Sequence, residues 1–247
     1  MIMYQYRNWE DLAESVASDD LVFAGAWKQS DTLHDMLEHV SPQQGAQFLA
    51  RITEKYPAIL PLTAELCRTN DEIGQTFCYD LGLSCPVGPT SVRYVFHACE
   101  VLSRAAELKA PAKIVEVGCG YGGLALIMSL LAPHFKVTID AYCLYDLPQP
   151  QLLQQRYLAA SAPRLPARFG SGDFGALLEG SGWILVSAYG IGEFSPEIAD
   201  KYLAEIVPKT SGGFLVWNTP RQSPFLSTFS SEIEFPQTGV CNRVITW

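Results

Sequence analysis

The spacing of apolar positions divides the chain into two parts. Over roughly the first 110 residues strand-like alternation is lacking and the period is helical. Leu33, Met36, Leu37 and Val40 fall at i, i+3, i+4 and i+7, the spacing of one buried helix face. Ser41-Pro42 then ends that helix and begins another, because serine caps a helix well and proline suits its first turn. Phe48, Leu49 and Ile52 carry the second stripe. Residues 79–89 are turn-rich and read as a loop. Thr90 or Ser91 is then expected to cap a long helix bearing Val92, Val95, Phe96, Cys99 and Leu102.

From Lys113 onward strands alternate with helices. Short β-branched or aromatic runs predict strands at 114–117, 137–144, 167–169, 183–187 and 213–217. Helical spacing predicts helices at 124–131, 151–160 and 196–207, the last with Ala199, Tyr202, Leu203 and Ile206 on one face. Two further strand candidates, 232–235 and 240–247, have no long helix between them, so they should form an antiparallel hairpin at one sheet edge. Alternating strands and helices imply a mostly parallel sheet with helices on both faces. The expected fold is therefore α/β and Rossmann-like, a seven-stranded mostly parallel sheet with an antiparallel edge hairpin. It would occupy residues 111–247, behind a helical N-terminal region of residues 1–110.

Composition narrows the function. Hydrophobic residues are 48% of the chain and charged residues 17%, as in a folded globule. With 26 acidic against 17 basic residues the formal charge is -9, and no run of Lys or Arg is present. That balance argues against nucleic acid or anionic lipid as a partner. Seven cysteines lie scattered without CxxC pairs, which predicts buried free thiols in a reducing compartment. The first twenty residues are polar and acidic, unlike a signal peptide, and the longest apolar run is about half a membrane span. The expectation is a soluble cytoplasmic protein without a membrane partner, and a homo-oligomer is compatible with it.

The chemistry gathers at Glu116-Val117-Gly118-Cys119-Gly120-Tyr121-Gly122-Gly123, between a strand and a helix. Gly118, Gly120 and Gly123 satisfy G-x-G-x-x-G, which alone admits a nicotinamide or flavin nucleotide. Two details favour S-adenosylmethionine. Glu116 places an acid at the end of an apolar strand, suited to the cationic amino-acid end of that ligand, and the edge hairpin interrupts the parallel pattern of a dinucleotide fold. Asp146, where the second strand ends, is the preferred partner of the ribose hydroxyls. Asp140 lies nearer the spacing of about 20 residues seen in dinucleotide folds and keeps that reading open. Asp173 is a candidate for the adenine amino group and Phe174 for its ring.

The glycine stretch, followed by Tyr145-Asp146-Leu147-Pro148, resembles the sugar O-methyltransferases, a family similar to the enzyme that methylates the deoxysugar of nanchangmycin. The likeness extends to residues 36–42, to residues 89–94, and to Ser187-Ala188-Tyr189-Gly190-Ile191-Gly192-Glu193-Phe194. It implies a class I methyltransferase using S-adenosylmethionine on a sugar or sugar-containing small molecule, with Tyr121, Leu147 and Ser187 beside the cofactor. Cys119 departs from the glycine or serine common at its position. Ala188 departs more, standing where the family carries an Asn-like residue.

Methyl transfer from a sulfonium is an in-line displacement, and a sugar hydroxyl needs a base or a metal. Glu193 and Tyr189 follow the fourth strand and are placed for this work. His97 is a further candidate base, and Arg93, four residues before it on one helix face, could reach the cofactor carboxylate. No His, Asp or Glu spacing marks a metal site, although a divalent ion held by distant acids stays open. An NAD(P)-dependent oxidoreductase and a non-catalytic methyltransferase-like binding domain are the competing readings.

Overall fold

A computed structural model describes residues 2–247, with side chains from Arg7 onward. The chain gathers into two compact units, each drawn from several stretches: residues 1–99, 120–131 and 147–163 in one, and residues 100–119, 132–146 and 164–247 in the other.

The first unit is helical. It comprises α1 (Ile2–Ser18), α2 (Asp20–Ala24), α3 (Asp31–Met36), α4 (Pro42–Lys55), α5 (Leu60–Glu72), the first half of α6 (Pro89–Glu107), α7 (Gly123–Leu131) and α8 (Pro148–Ser161). Ser41 caps α4 as expected: its hydroxyl accepts the Gln44 N–H at 3.2 Å, and the Gln44 side chain accepts the Ser41 N–H at 2.8 Å. α3 stops earlier than its stripe predicts. The N–H groups of Leu37 and Glu38 both turn back to the Leu33 carbonyl, closing the helix, yet Val40 is still buried. α6 begins at Pro89, so Thr90 and Ser91 lie inside its first turn instead of capping it. The Ser91 hydroxyl donates to the Asp71 carboxylate. α7 is buried continuously from Leu124 to Met128, the mark of a helix covered on every side. Arg156 of α8 donates to the carbonyls of Val16 and Ala17 and pairs with Asp20, tying α8 to the end of α1.

The second unit carries the sheet. Its strands are β1 (Ala112–Val117), β2 (Ile139–Tyr145), β3 (Ala167–Gly170), β4 (Trp183–Ala188), β5 (Thr210–Trp217), β6 (Ser230–Ile233) and β7 (Arg243–Thr246). They lie in the order β3-β2-β1-β4-β5-β7-β6. The first five are parallel, and β7 runs antiparallel to both β5 and β6. The strand order reverses direction between β1 and β4. β2 starts two residues later than expected, because the Val137 N–H still closes a turn on the Ala132 carbonyl. β6 begins two residues earlier than expected, and β7 is shorter than expected. α9 (Gly190–Glu193) and α10 (Pro196–Ile206) follow β4. The predicted face of α10 is buried in one cluster with Val115, Leu185 and Leu215 of the sheet. Each such aliphatic side chain contributes about 1.5–3 kcal/mol of transfer free energy. A seven-stranded, mostly parallel sheet with this antiparallel edge is the methyltransferase variant of the Rossmann-like fold.

All seven cysteines are free. Cys67, Cys99, Cys119 and Cys143 are buried as expected, whereas Cys78 and Cys241 are exposed. Among the described residues no helix is long and apolar enough to cross a membrane.

The antiparallel edge is secured by Trp247, whose indole N–H donates to Thr210 at 3.1 Å and whose ring stacks on Phe229 at 4.2 Å. The ring fills the space beside Gly213, where an added Cβ would meet it at 2.1 Å. Gly213→Ala should therefore lower stability by about 1–3 kcal/mol in thermal or urea melts. Gly212→Ala, whose Cβ would meet only the Trp247 carbonyl oxygen at 3.4 Å, should cost less.

Candidate active site

In an open α/β sheet, ligands bind beyond the C-terminal ends of the strands, where the strand order reverses. Here that point lies between β1 and β4. Register places Val117, Tyr145 and Gly170 level with one another, so the turns after β1, β2 and β3 emerge side by side.

The turn after β1 clings to the end of β2. The Gly118 N–H donates to the Tyr145 carbonyl at 2.9 Å, and the Cys119 N–H donates to Asp146 Oδ2 at 2.8 Å. Gly118 has φ +74°. A Cβ there would stand 2.6 Å from the Gly190 Cα, and a Cβ on Gly190 would stand 2.7 Å from the Gly118 Cα. The turns after β1 and β4 therefore meet backbone to backbone, and only glycine fits on either side. Ser187, expected beside the cofactor, is buried at this junction. Its hydroxyl donates to the Val117 carbonyl at 2.7 Å and accepts the Ile191 N–H at 3.0 Å.

Asp146 stands at the end of β2, as preferred from sequence. Asp140 is exposed near the other end of that strand, level with the start of β1, so it lies away from the glycine turn. Asp173 is exposed after β3, beside the Tyr145 hydroxyl, which also accepts the Leu177 N–H at 2.9 Å. Phe174 is occupied within the protein: its ring lies 4.7 Å from that of Tyr202, with the Lys201 ammonium 4.0 Å from its centre.

Tyr202, which the sequence marks only as part of a buried helix stripe, belongs to this edge. Its hydroxyl reaches the backbone of Gly172 and feels the charges of Asp146 and Asp173. Burial, with those two acids, pushes the phenol up to about 12. A hydroxyl on an otherwise apolar helix face is the one signal that could have drawn attention to it. Glu193 is exposed at the end of α9 and accepts the Asn218 side-chain amide at 3.0 Å, joining the segments after β4 and β5. Tyr189 is half-buried before α9. The edge thus combines three acids, Asp146, Asp173 and Glu193, with the phenols of Tyr189 and Tyr202.

Glu116 does not reach this surface. It is 2% exposed, and the Tyr142 hydroxyl donates to its Oε2 at 2.5 Å. Burial raises its pKa to about 8, with the Asp146 charge adding to the rise and the Tyr142 bond opposing it. The carboxyl is held inside the strand layer.

Within the first unit, Gly120 and Tyr121 are covered instead of open. Leu37 closes over Gly120, and Gln154 donates to the Gly120 carbonyl at 2.8 Å. Tyr121 is fully buried; its hydroxyl donates to Glu38 at 3.0 Å, and the Lys28 ammonium lies 4.1 Å from its ring. Lys28 donates to the Asn70 carbonyl at 2.6 Å, and burial lowers its pKa to about 8 against the pull of Glu38 and Asp71. Arg93 is buried and donates to the Leu37 carbonyl at 3.0 Å. His97 is 1% exposed, edge-on to Phe48 at 5.9 Å. Burial and the neighbouring Arg93 hold its pKa well below the ordinary histidine value. Its imidazole is buried beside the rings of Phe48 and Phe96. Leu147 is exposed at the start of α8. Among the described residues no cluster of His, Cys, Asp or Glu is arranged to hold a metal ion.

No family model matches the chain, and no curated protein matches it. Solved structures do. The chain is similar to magnesium protoporphyrin IX methyltransferase from Synechocystis with bound SAM, at 13% identity over 82% of this chain and 95% of that one, with a TM-score of 0.47. It is similar to an S-adenosylmethionine-dependent methyltransferase from Clostridium acetobutylicum, at 12% identity over 56% of each chain and a TM-score of 0.39. It is also similar to the rRNA methyltransferase aviRa from Streptomyces viridochromogenes, at 14% identity over 62% of this chain and 83% of that one, with a TM-score of 0.41. The fold assignment rests on the chain's own strand order and register.

The buried Glu116 gives a pH signature. Because its folded pKa lies above that of an unfolded carboxyl, it favours the fold fully below about pH 4.5 and loses that contribution as pH rises through about 8. Glu116→Gln should match the parent in stability near pH ~5 and exceed it by about 3–5 kcal/mol near pH ~9. Thermal melts across that range check this; a constant difference at all pH values would contradict it.

Proposed function

We propose that the chain is an S-adenosylmethionine-dependent O-methyltransferase whose acceptor is a sugar or sugar-containing small molecule. The observation that carries this reading is the glycine turn after β1 facing Asp146 after β2, on a sheet whose β7 is antiparallel. The donor set fits such a cofactor. Asp146 stands where ribose hydroxyls could donate to it, and the acids of this edge suit a cationic ligand. A pyrophosphate would fit less well, because Asp146 already accepts the Cys119 N–H that a dinucleotide loop would turn toward a phosphate. When bound, the cofactor supplies a methyl group on a positively charged sulfur. The chain must then hold an acceptor oxygen in line with that methyl and take up its proton. Glu193, at the end of α9, and Asn218, just after β5, would bind acceptor hydroxyls, a role supported by the hydrogen bond that joins them beyond the strand ends. The sugar itself is inferred from the resemblance of residues 114–123, 145–148 and 187–194 to sugar O-methyltransferases.

Calorimetric titration with S-adenosylmethionine and with NAD tests the donor. Binding of the first and not the second is expected, and binding of NAD alone overturns the proposal. Asp146→Ala should weaken S-adenosylmethionine binding by about tenfold to a hundredfold while the protein stays folded, the range for hydrogen bonds to a charged group. Unchanged affinity would refute its ribose role.

A further inference from the structure

The C-terminal hairpin brings a buried carboxylate to Tyr189, and the strand order does not require it. Glu234, one residue beyond β6, is 2% exposed. Its Oε2 accepts the Thr238 N–H at 3.0 Å and the Asn242 side-chain amide at 2.8 Å. Its Oε1 accepts the Tyr189 hydroxyl at 2.5 Å. The Thr238 hydroxyl lies 3.1 Å from the Tyr189 oxygen and 3.1 Å from Oε2, so it can donate to either.

Tyr189 itself is strained. It has φ +78° and ψ −29°, a left-handed conformation that costs an aromatic residue about 1–2 kcal/mol. Its N–H is held by the Val216 carbonyl at 3.1 Å, and the next residue, Gly190, is the one in backbone contact with Gly118. The strain therefore falls where the strand order reverses, on a half-buried phenol at the edge of the candidate site. A brace for the hairpin alone would need only the Thr238 and Asn242 bonds. The bond to Tyr189 adds a strained residue to that brace and turns a phenolic proton toward a carboxylate.

We propose, resting on the methyltransferase reading above, that Tyr189 is the catalytic proton acceptor and that Glu234 acts through it. As the acceptor oxygen bonds to the methyl carbon, the carbon–sulfur bond breaks and its electron pair goes to sulfur. The acceptor's proton passes to Tyr189 Oη, and the phenolic proton of Tyr189 passes to Glu234 Oε1. One positive charge on sulfur and one negative charge on the carboxylate are neutralised together. Glu234 later returns its proton to solvent. The Thr238 hydroxyl orients the phenol at both stages.

Two measurements on the full chain with S-adenosylmethionine added test this. In NMR of isotope-labelled tyrosine, comparison with Tyr189→Phe identifies the Tyr189 resonance. Glu234→Gln should then shift its ionisation to lower pH by about one unit or more, since a neighbouring negative charge is lost. An unmoved titration overturns the pairing, whether or not an acceptor is in hand. In methyl transfer from labelled S-adenosylmethionine to nucleoside-diphosphate sugars and glycosides, Tyr189→Phe should lower kcat by about a hundredfold or more. Calorimetric affinity for S-adenosylmethionine should change by less than about threefold. Glu234→Gln should be impaired near neutral pH and recover as pH rises, because the phenol can then ionise without its partner; a purely structural brace would not recover. Turnover of Tyr189→Phe close to the parent's sinks the proposal. A parent protein that binds no S-adenosylmethionine sinks the underlying reading instead, and the NMR titration still decides whether the pair exists.

Discussion

Gly118 and Gly190 touch through their backbones, and the arrangement of the site follows from that contact. Two turns leaving neighbouring strands would ordinarily be kept apart by their side chains. Here neither has one, and Ser187 fastens them further by bonding to Val117 and Ile191. With the two turns fixed, the Cys119 N–H reaches Asp146, and Tyr189 is forced into its left-handed conformation immediately before Gly190. A methyl group on either glycine would demand a shift of backbone, the least compliant part of a folded chain.

Charge burial sets a second constraint. The sheet unit buries Glu116 against Tyr142, and the helical unit buries Lys28 among Trp27, Tyr121 and Tyr157. Desolvation drives each toward its neutral form, the acid up to about 8 and the amine down to about 8. Each has a hydrogen bond that prevents the larger cost of an unpartnered polar atom. Both residues adjoin the glycine stretch, Glu116 by sequence and Lys28 through the ring of Tyr121.

Much of the fold was legible because it is written locally. The β-branched runs, the Ser41 cap and the α10 stripe depend on residues within a few positions of one another, and they appear as expected. Asp146 was separable from Asp140 because strand ends can be read from the pattern. The site was less legible because its partners are distant in sequence. Nothing near Tyr121 foretells Glu38 or Lys28, and nothing near Ser187 foretells the Val117 carbonyl. Phe174 is taken by Tyr202, His97 by Phe48, and Tyr189 by Glu234, each across many residues. Which polar group faces a ligand and which faces the protein is decided by packing, and packing is not periodic.

The position of β7 between β5 and β6 has a consequence for how the chain is made. β6 is synthesised before β7 but has no place beside β5 until β7 fills the gap. During synthesis the edge of β5 stays open while β6, the Glu234 segment and the following turn emerge, and an open strand edge is a template for pairing with other chains. Closure joins residues such as Phe214 and Thr246, far apart in sequence, and contacts of that kind form late. The Glu234 bond to Tyr189 would thus be among the last features to assemble, added to a turn whose backbone the Gly118–Gly190 contact already fixes.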